Sequence, residues 1–238
     1  MTMPGAVICL PTYNERDNLE RMIEALEPLG VRVLVIDDNS PDGTGEIADR
    51  LAAEREWLSV LHRPRKEGLG RAYVDGFREV LCGDAELVLE MDCDFSHDPA
   101  DVPRLIAAVE QGADLAIGSR YVEGGGTSNW GLVRRVISRG ASIYTRVILM
   151  PIHDATGGFK CFRRQVLESI DLDTIDAAGY VFQIETTYRT LRKGFRVVEV
   201  PIRFVDRTAG QSKMSRAIVL EAAWKVPWLR LAALAGRL

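Results

Sequence analysis

The chain has 238 residues, of which 47% are hydrophobic and 27% are charged, as is ordinary for a soluble globular protein. A formal net charge of −4, from 30 basic and 34 acidic residues, argues against a protein that binds nucleic acid in bulk. The four cysteines lie far apart and form no C-x-x-C pair, so the sequence indicates neither a zinc knuckle nor a disulfide framework. With no secretory signal at the N-terminus, we expect reduced thiols and a cytoplasmic protein.

Short apolar runs alternate with helical patterns through the first half of the chain. The runs predict strands at residues 6–10, 31–36, 58–61, 86–91 and 113–118, and the intervening segments predict helices at 16–29, 43–55, 70–81 and 99–111. Gly112 stands where a helix C-terminal cap belongs. This alternation predicts an α/β fold with a largely parallel sheet covered by helices on both faces. In such sheets ligands bind beyond the carboxyl ends of the strands.

The second half of the chain is less regular. A glycine-rich loop at 123–127 precedes a predicted helix at 132–149, and a turn at 153–158 leads to a strand at 159–162, a helix at 182–193 and a strand at 196–200. No linker rich in proline, glycine or serine separates two domains, and there is no internal repeat. We therefore predict a single domain over residues 1–238.

The C-terminal stretch, residues 217–238, is mostly apolar and contains Trp224 and Trp228. Four residues interrupt it: Glu221, Lys225, Pro227 and Arg230. A membrane-spanning helix needs about 20 mainly apolar residues, so we do not predict a span. Two interpretations stay open, an amphipathic segment lying on a bilayer surface and a helix docked on the protein's own core.

Two aspartates follow the fourth predicted strand, with one residue between them. Asp92 and Asp94 come directly after an apolar run, where a carboxylate is costly unless a cation or hydrogen-bond donors satisfy it. Their spacing suits one hard cation such as Mg²⁺, which takes one or two carboxylates together with phosphate oxygens. Ser96 could add an oxygen ligand or cap the next helix. Taken alone, the pair could equally be a solvated turn.

Polar loops also follow the first two predicted strands. Asp38 lies in the loop at residues 37–43, where it could bind a ribose hydroxyl or a base edge. Tyr13 and Glu15 lie in the loop at 11–15 and could bind a base and a hydroxyl, respectively. Each loop could also be only a turn with a helix cap. A dinucleotide dehydrogenase and a P-loop enzyme are excluded, because neither glycine fingerprint is present.

Seven strings across nearly the whole chain carry a family resemblance: LPTYNE (10–15), VIDDNSPDGT (35–44), GLGRAY (68–73), MDCDFSH (91–97), GSRY (118–121), TGGFK (156–160) and RTAGQSK (207–213). With them the sequence resembles the family 2 glycosyltransferases with the GT-A fold, and within these the polyprenol (dolichol) phosphate mannose synthases. The resemblance implies an inverting, metal-dependent enzyme that transfers mannose from GDP-mannose to a polyprenyl phosphate, with Mg²⁺ or Mn²⁺ as cofactor.

The resemblance also implies roles for individual residues. The nucleotide sugar would be bound by Pro11, Tyr13, Glu15, Ile36, Asp38, Asp92, Cys93, Asp94, Arg207 and Lys213, and the metal by Asp92 and Asp94, with Ser96 as a further candidate. Arg120, Arg134 and Ser138 would bind the acceptor phosphate, and Asp94, Arg120 and Arg207 would be catalytic. Position 93 is often alanine in this family, so Cys93 is a mild departure. The single domain would divide into a nucleotide-sugar half (1–120), an acceptor half (121–214) and a C-terminal amphipathic helix (215–238) at the membrane.

The predicted helix at 132–149 gives physical support to an acceptor of this kind. An apolar stripe runs along it, and the opposite arc carries Arg134, Arg135, Ser138, Arg139 and Arg146 without an acid. A solvated face is the ordinary interpretation, but four arginines in a net acidic protein favour a phosphate or an anionic lipid surface. The polar segment at 207–213 could close over a diphosphate as a lid, or be only a mobile loop.

A phosphate acceptor is already ionised near neutral pH, so we name no general base. Asp154 and Glu185 stay candidates if the acceptor is a hydroxyl. The alternatives are a lipid-phosphate glucosyltransferase or another enzyme of the family, and a nucleotide-sugar-binding scaffold without turnover. We expect a peripheral protein on the cytoplasmic face of a membrane, with a separate membrane-anchoring protein as an open option and no nucleic-acid partner.

Overall fold

The computed structural model describes residues 5–175, 179–206 and 216–236. Its first half alternates strands and helices in this order: β1 (Ala6–Thr12), α1 (Arg16–Leu26), β2 (Arg32–Asp37), α2 (Thr44–Ala53), β3 (Leu58–His62), α3 (Leu69–Leu81), β4 (Leu87–Glu90), α4 (Val102–Glu110) and β5 (Leu115–Ser119). The second half consists of β6 (Gly126–Ser128), α5 (Leu132–Ile148), β7 (Lys160–Arg163), α6 (Arg164–Ser169), α7 (Tyr180–Arg192), β8 (Val197–Pro201), β9 (Arg203–Val205) and α8 (Arg216–Leu234).

In the described part of the chain, seven strands form the central sheet in the order β3-β2-β1-β4-β7-β5-β8. The pairs β3–β2, β2–β1, β1–β4 and β5–β8 are parallel, which confirms the expected largely parallel sheet. β7 is the exception, since it lies antiparallel between β4 and β5. Its register places Lys160 beside Glu90. The sheet is therefore completed by strands from both halves of the sequence.

Helices cover both faces of the sheet, and successive strand residues point into two separate cores. On one face Cys9 and Ile36 pack with Phe77, Phe162 and Phe182 of the aromatic core. On the other face the core includes Ile8, Leu10, Leu19, Met22 and Leu105. Such double burial explains why these strands appear in the sequence as continuous apolar runs.

Helix α3 lies unusually close to β2. A Cβ on Gly76 would come within 2.3 Å of the Ile36 Cδ1 atom, so any other residue there would force the Ile36 side chain to move. Ile36 is fully buried in this contact. Its side chain therefore packs against α3 in the core.

Two helix ends show how local chemistry sets the boundaries. α1 ends at Leu26, three residues earlier than predicted, and a short 3-10 turn that contains Pro28 follows it. Proline has no N–H to continue the α-helical hydrogen bonding. After α4, Gly112 adopts a φ of 102° and donates its N–H to the Val109 carbonyl, as the sequence predicts for a C-terminal cap.

Helix α5 turns its polar side to the protein. Its buried residues are Ser138, Ser142 and Thr145, whereas Val133, Val136 and Val147 are each at least 70% exposed. Helical periodicity places these valines on the side opposite the buried one. The apolar stripe that the sequence shows on this helix is thus largely exposed and does not form its packing face.

Helix α8 packs beside α5 and α7 and extends the exposed apolar surface. Val226 and Leu229 are buried, while Trp224, Trp228, Leu231 and Leu234 are about half exposed or more. Tyr144 of α5 donates its hydroxyl hydrogen to the Ala223 carbonyl at 2.7 Å. Within the described ranges, no helix is both long and apolar enough to cross a membrane.

Candidate active site

A cavity of about 340 Å³ opens at the carboxyl ends of β1, β2, β4 and β5. Of the residues predicted for the site, those that line it are Pro11, Tyr13, Glu15, Asp38, Asp92, Cys93, Asp94, Arg120 and Arg134. These residues come from the ends of four strands, β1, β2, β4 and β5, and from α5. Parallel strands bring such residues together because their carboxyl ends meet at one edge of the sheet.

Other predicted residues do not line the cavity. Ile36 lies in the core, Ser96 is buried behind the aspartates, and Ser138 is on the inner side of α5. The Ser138 hydroxyl accepts a hydrogen bond from the Tyr121 hydroxyl at 2.7 Å. Arg207 and Lys213 fall outside the described residues.

The β1 and β2 loops form one end of the cavity. The ammonium group of Lys66 lies 3.6 Å from the centre of the Tyr13 ring, a cation–π contact. Asp38 forms a buried ion pair with Arg63, whose Nε also donates to Asp75 at 2.8 Å. Burial raises the pKa of Asp38, although the hydrogen bond and charge of Arg63 oppose this shift. The sequence did not single out Arg63 or Lys66, because neither stands in a strand-end acidic loop.

Asp92 and Asp94 lie at the middle of the cavity, directly after β4. Asp94 is 7% exposed, and its Oδ1 accepts the Ser96 backbone N–H at 3.0 Å. Phe95 has a φ of 58°, a left-handed conformation that is rare for an aromatic residue. This tight turn places both carboxylates at the cavity while the Cys93 side chain is buried. Burial raises the pKa of the Cys93 thiol.

The aspartates suit a divalent cation only in combination with a ligand. Within the described residues, no cluster of three or more histidine, cysteine or acidic side chains could hold a metal alone. Two carboxylates facing an open cavity match the way Mg²⁺ binds, with phosphate oxygens and water completing its shell. The Ser96 Oγ atom is buried without a hydrogen-bond partner in the described part of the chain. These residues therefore fit a metal that binds together with a diphosphate.

His97 supports the aspartate turn and also lines the cavity. Its Nδ1 accepts the Asp92 backbone N–H at 3.2 Å, and its ring stacks on Phe159 with centroids 4.9 Å apart. Burial lowers the pKa of His97 to about 4, so the imidazole is neutral at pH 7. The sequence placed His97 beside the motif but assigned it no role.

Arg120 and Arg134 form the cationic end of the cavity. The Arg120 guanidinium donates to both carboxylate oxygens of Asp154, at 2.7 and 2.6 Å, and to the Thr156 hydroxyl at 2.9 Å. Arg134 pairs with Asp206. Both guanidinium groups face the Trp130 ring, at 5.4 and 4.2 Å from its centre. Residues distant in sequence thus place two cations at one end of the cavity.

Neither carboxylate kept as a candidate base stands free at the cavity. Asp154 is fully buried and accepts the bidentate hydrogen bonds of Arg120. Glu185 forms a buried ion pair with Arg189 at 2.6 Å and does not line the cavity. Among the described residues, the acidic side chains that do line the cavity are Glu15, Asp38, Asp92 and Asp94.

Lys160 of β7 and Glu90 of β4 are fully buried neighbours in the strands that lead to the site. The Lys160 ammonium donates to the Gln183 carbonyl at 2.8 Å and to the Thr186 hydroxyl at 3.1 Å, which ties β7 to α7. Burial lowers the pKa of Lys160 to about 8 and raises that of Glu90, its neighbour across the strands, to about 7. Gln183 itself lines the cavity. Lys160 therefore anchors the part of α7 that contributes Gln183 to the cavity lining.

Comparison with known proteins gives concordant results. The model of the family described as glycosyl transferase family 2 matches residues 7–171. A polyprenol monophosphomannose synthase from Mycolicibacterium smegmatis is 49% identical over 92% of this chain and 84% of that protein. An undecaprenyl-phosphate mannosyltransferase from Micrococcus luteus is 48% identical over 94% of this chain and 93% of that protein.

Solved structures share the fold at low sequence identity. Glucosyl-3-phosphoglycerate synthase from Mycobacterium tuberculosis, in complex with Mn²⁺, UDP and glucosyl-3-phosphoglycerate, is 19% identical, with a TM-score of 0.66 over 97% of this chain and 80% of that one. A mannosyltransferase from Pyrobaculum calidifontis, in complex with GDP-Man and Mn²⁺, is 16% identical, with a TM-score of 0.61 over 98% of this chain and 73% of that one. The expected GT-A architecture is confirmed by this likeness.

Proposed function

This chain belongs to glycosyl transferase family 2, and we propose that it transfers a mannosyl group from GDP-mannose to the phosphate of a polyprenyl lipid. Its relatives at 48 and 49% identity bear names of that activity. The GDP moiety of the donor, a divalent metal and the roles of individual residues are parts of the proposal. Two solved structures of the same fold are complexes with Mn²⁺, which supports a divalent cofactor of the same kind here.

One observation carries the proposal: a single cavity is lined both by a pair of aspartates, Asp92 and Asp94, and by two arginines, Arg120 and Arg134. Asp92 and Asp94 suit a divalent ion on the diphosphate of the donor. Arg120 and Arg134 suit a second, separate phosphate. A substrate pair in which donor and acceptor both carry phosphate accounts for both features.

The mechanism follows from assigning the aspartates to the donor and the arginines to the acceptor. A phosphate oxygen of the lipid attacks the anomeric carbon, a new C–O bond forms there, and the bond to the diphosphate breaks with its electron pair leaving on GDP. Attack from the side opposite the leaving group inverts the anomeric configuration. Asp92 and Asp94 would hold the metal, which when bound offsets the charge developing on the diphosphate. Arg120 and Arg134 orient the attacking phosphate and offset its repulsion from the diphosphate.

The pairing of the remaining carboxylates favours a phosphate over a hydroxyl acceptor. A hydroxyl needs a base within hydrogen-bond reach of its proton. Asp154 and Glu185 are both paired with arginines, and the acids that line the cavity belong to the donor and metal end. An ionised phosphate needs no base, which agrees with this arrangement.

We predict transfer of labelled mannose from GDP-mannose to polyprenyl phosphate by the purified chain with Mn²⁺ or Mg²⁺. UDP-glucose with the same acceptor is the matched comparison, because the alternative function is a lipid-phosphate glucosyltransferase. Product extracted into organic solvent is measured for both donors. Faster glucosyl transfer would replace mannose by glucose in the proposal, and nucleotide-sugar binding without any product would leave only the scaffold function.

We also propose that the exposed apolar side of α5 and α8 lies on the membrane that holds the acceptor. This surface consists of Val133, Val136, Val147, Trp224, Trp228 and Leu231, and it is flanked by the exposed Arg135, Arg139 and Arg146. Apolar side chains bordered by cations suit the interface of an anionic bilayer. Arg134, on the same helix, lines the cavity, so this placement brings the cationic end near the lipid phosphate. The free cysteines fit the reducing cytoplasmic side.

Flotation with vesicles made of equal parts phosphatidylglycerol and phosphatidylcholine tests this placement. Replacing Val133, Val136 and Val147 together with serine should lower vesicle partitioning by about 10²-fold, since each valine forfeits about 1 kcal/mol. A control with Glu20 of α1 and Arg50 of α2, an exposed ion pair, both replaced by serine keeps the net charge and should float like the wild type. Unchanged flotation of the valine variant would show that another surface, or an anchoring partner protein, attaches the chain.

A further inference from the structure

Glu199 of β8 makes an unusual number of contacts for a buried carboxylate. Its side chain is 9% exposed, and within the described residues it accepts four hydrogen bonds. Oε1 accepts from the Ser119 hydroxyl at 2.7 Å and from the Asp154 backbone N–H at 2.9 Å. Oε2 accepts from the backbone N–H and the Nδ1 of His153, at 2.9 and 2.8 Å. The carboxylate thus joins β5, β8 and the turn before β7.

The groups that Glu199 holds lie on both sides of Arg120. Ser119 precedes Arg120 in the chain, and Asp154 receives three hydrogen bonds from Arg120, through its backbone N–H at 2.9 Å and its guanidinium at 2.7 and 2.6 Å. Glu199 does not line the cavity. It can therefore affect a ligand only through the residues that it positions.

We propose that Glu199 is a positioning residue for acceptor binding, which presets the Arg120 guanidinium by fixing Ser119 and Asp154. This inference rests on the proposed function in that it takes the ligand of Arg120 to be the phosphate of the lipid acceptor. The proposal is that Glu199 holds the Asp154 backbone and that Asp154 in turn holds the Arg120 guanidinium.

The physical reason is preorganisation. A free arginine side chain loses rotamer entropy when it binds a phosphate, whereas a guanidinium already held by a carboxylate loses little. Asp154 can hold Arg120 only while the turn at 153–158 keeps its place, and Glu199 accepts the backbone N–H groups of the first two residues of that turn. Without Glu199 the turn and the arginine would both have more freedom.

The test substitution is Glu199→Gln, which keeps the shape but presents an N–H₂ group to two of the four donors. We expect the KM for polyprenyl phosphate to rise about 10-fold, the size of effect that loss of charge-assisted hydrogen bonds produces. The KM for GDP-mannose should stay within about twofold of the wild type. Glu185→Gln is the matched control, since Glu185 is another hydrogen-bonded carboxylate that does not line the cavity, and its partner is Arg189 instead of the groups around Arg120. It should lower the melting temperature without changing either KM.

A double-mutant cycle with Arg120→Lys separates positioning from general destabilisation. If Glu199 acts through Arg120, Glu199→Gln should add little to the loss already caused by Arg120→Lys. Additive effects, or an equal rise in both KM values, would overturn the proposal. A result confined to the melting temperature, as for Glu185→Gln, would overturn it as well.

A readout without turnover keeps the inference distinct from the proposed function. The Nε–H signal of Arg120 in an NMR spectrum, assigned by its absence in Arg120→Lys, should be protected from solvent exchange in the wild type. Glu199→Gln should lose that protection and Glu185→Gln should keep it. If the wild type transfers no mannose, the proposed function fails, while the NMR comparison still decides whether Glu199 positions Arg120. Retained protection in Glu199→Gln would refute the positioning role.

Discussion

Replacing Asp94 with asparagine should lower kcat/KM for mannosyl transfer by about 10³-fold at saturating Mn²⁺. Asparagine keeps the size of the side chain and can still accept the Ser96 N–H, which the structure places 3.0 Å from Oδ1. What it removes is the negative charge that would hold the metal against the diphosphate. Metal stabilisation of a developing charge contributes several kcal/mol, and about 4 kcal/mol corresponds to 10³-fold.

The control for this prediction lies four residues away. Asp98 caps the helical turn at residues 99–101 by accepting the Ala100 N–H at 2.9 Å, and it does not line the cavity. Asparagine is as good a cap as aspartate, so Asp98→Asn should retain wild-type rates. Transfer rates and metal affinity are measured for both variants across a Mn²⁺ titration. An Asp94→Asn enzyme with near wild-type kcat/KM at saturating metal would refute the metal assignment.

Replacing Arg120 with lysine should lower kcat/KM for polyprenyl phosphate by about 10²-fold to 10³-fold and leave the KM for GDP-mannose nearly unchanged. Lysine keeps the charge but loses the planar fork that binds Asp154 through two atoms and could bind a phosphate in the same way. Arg120 also packs among the rings of Tyr121, Trp130 and Phe204, each 5.4 Å from its guanidinium carbon. A lysine ammonium fits such a site poorly, and each 1.4 kcal/mol lost costs about tenfold.

Arg189→Lys is the matched control for the acceptor prediction. Arg189 is likewise buried and bound to a carboxylate, that of Glu185, but it does not line the cavity. Both variants should lose stability. Complete loss of a buried ion pair costs about 3–5 kcal/mol, and lysine, which keeps the charge, should cost less than that. Steady-state kinetics below the melting temperature of each variant then compare the two. If Arg189→Lys raises the acceptor KM as much as Arg120→Lys, the effect is one of stability and not of phosphate binding.

The cavity would bind two phosphate groups, one of the donor and one of the acceptor, through different residues. The carboxylates of Asp92 and Asp94 would act on the donor through a cation, whereas Arg120 and Arg134 would act on the acceptor directly. His97 stands between the two groups, with its Nδ1 on the Asp92 backbone and its ring edge to face with Phe204, whose ring also faces Arg120. The rings of His97 and Phe204 thus form a chain of contacts between the Asp92 backbone and Arg120.

Much of the fold was predictable because the signals that specify it are local. Apolar runs such as residues 6–10 and 31–36 are long enough to read as strands, and Gly112 caps α4 by the φ of 102° that glycine tolerates. The cavity-lining aspartates were found for a similar reason, since a carboxylate directly after a buried strand is costly without a partner. The alternation of strands and helices predicts a largely parallel sheet, in which the loops at the carboxyl ends of the strands meet at one edge.

The antiparallel insertion of β7 was not predictable in the same way. Its sequence reads as an apolar strand in either direction, and only pairing with β4 and β5 decides the orientation. The sequence could not show that the apolar face of α5 points outward, because periodicity locates an apolar stripe but not what the stripe contacts. Ser138, Ser142 and Thr145 take the inner side, where small side chains allow close approach to the protein.

The sequence by itself determined the strand-end acids, the parallel α/β class and the family, because these depend on patterns within short stretches. Only the tertiary structure decided which side chains hold the predicted ones in place: Arg63 on Asp38, His97 behind Asp92, and Asp154 with Glu199 behind Arg120. Such partners are separated by up to 80 residues, as Ser119 and Glu199 are, and the sequence alone does not show which of them will meet. Hydrogen bonds of that range exist only after the sheet has brought its strands together.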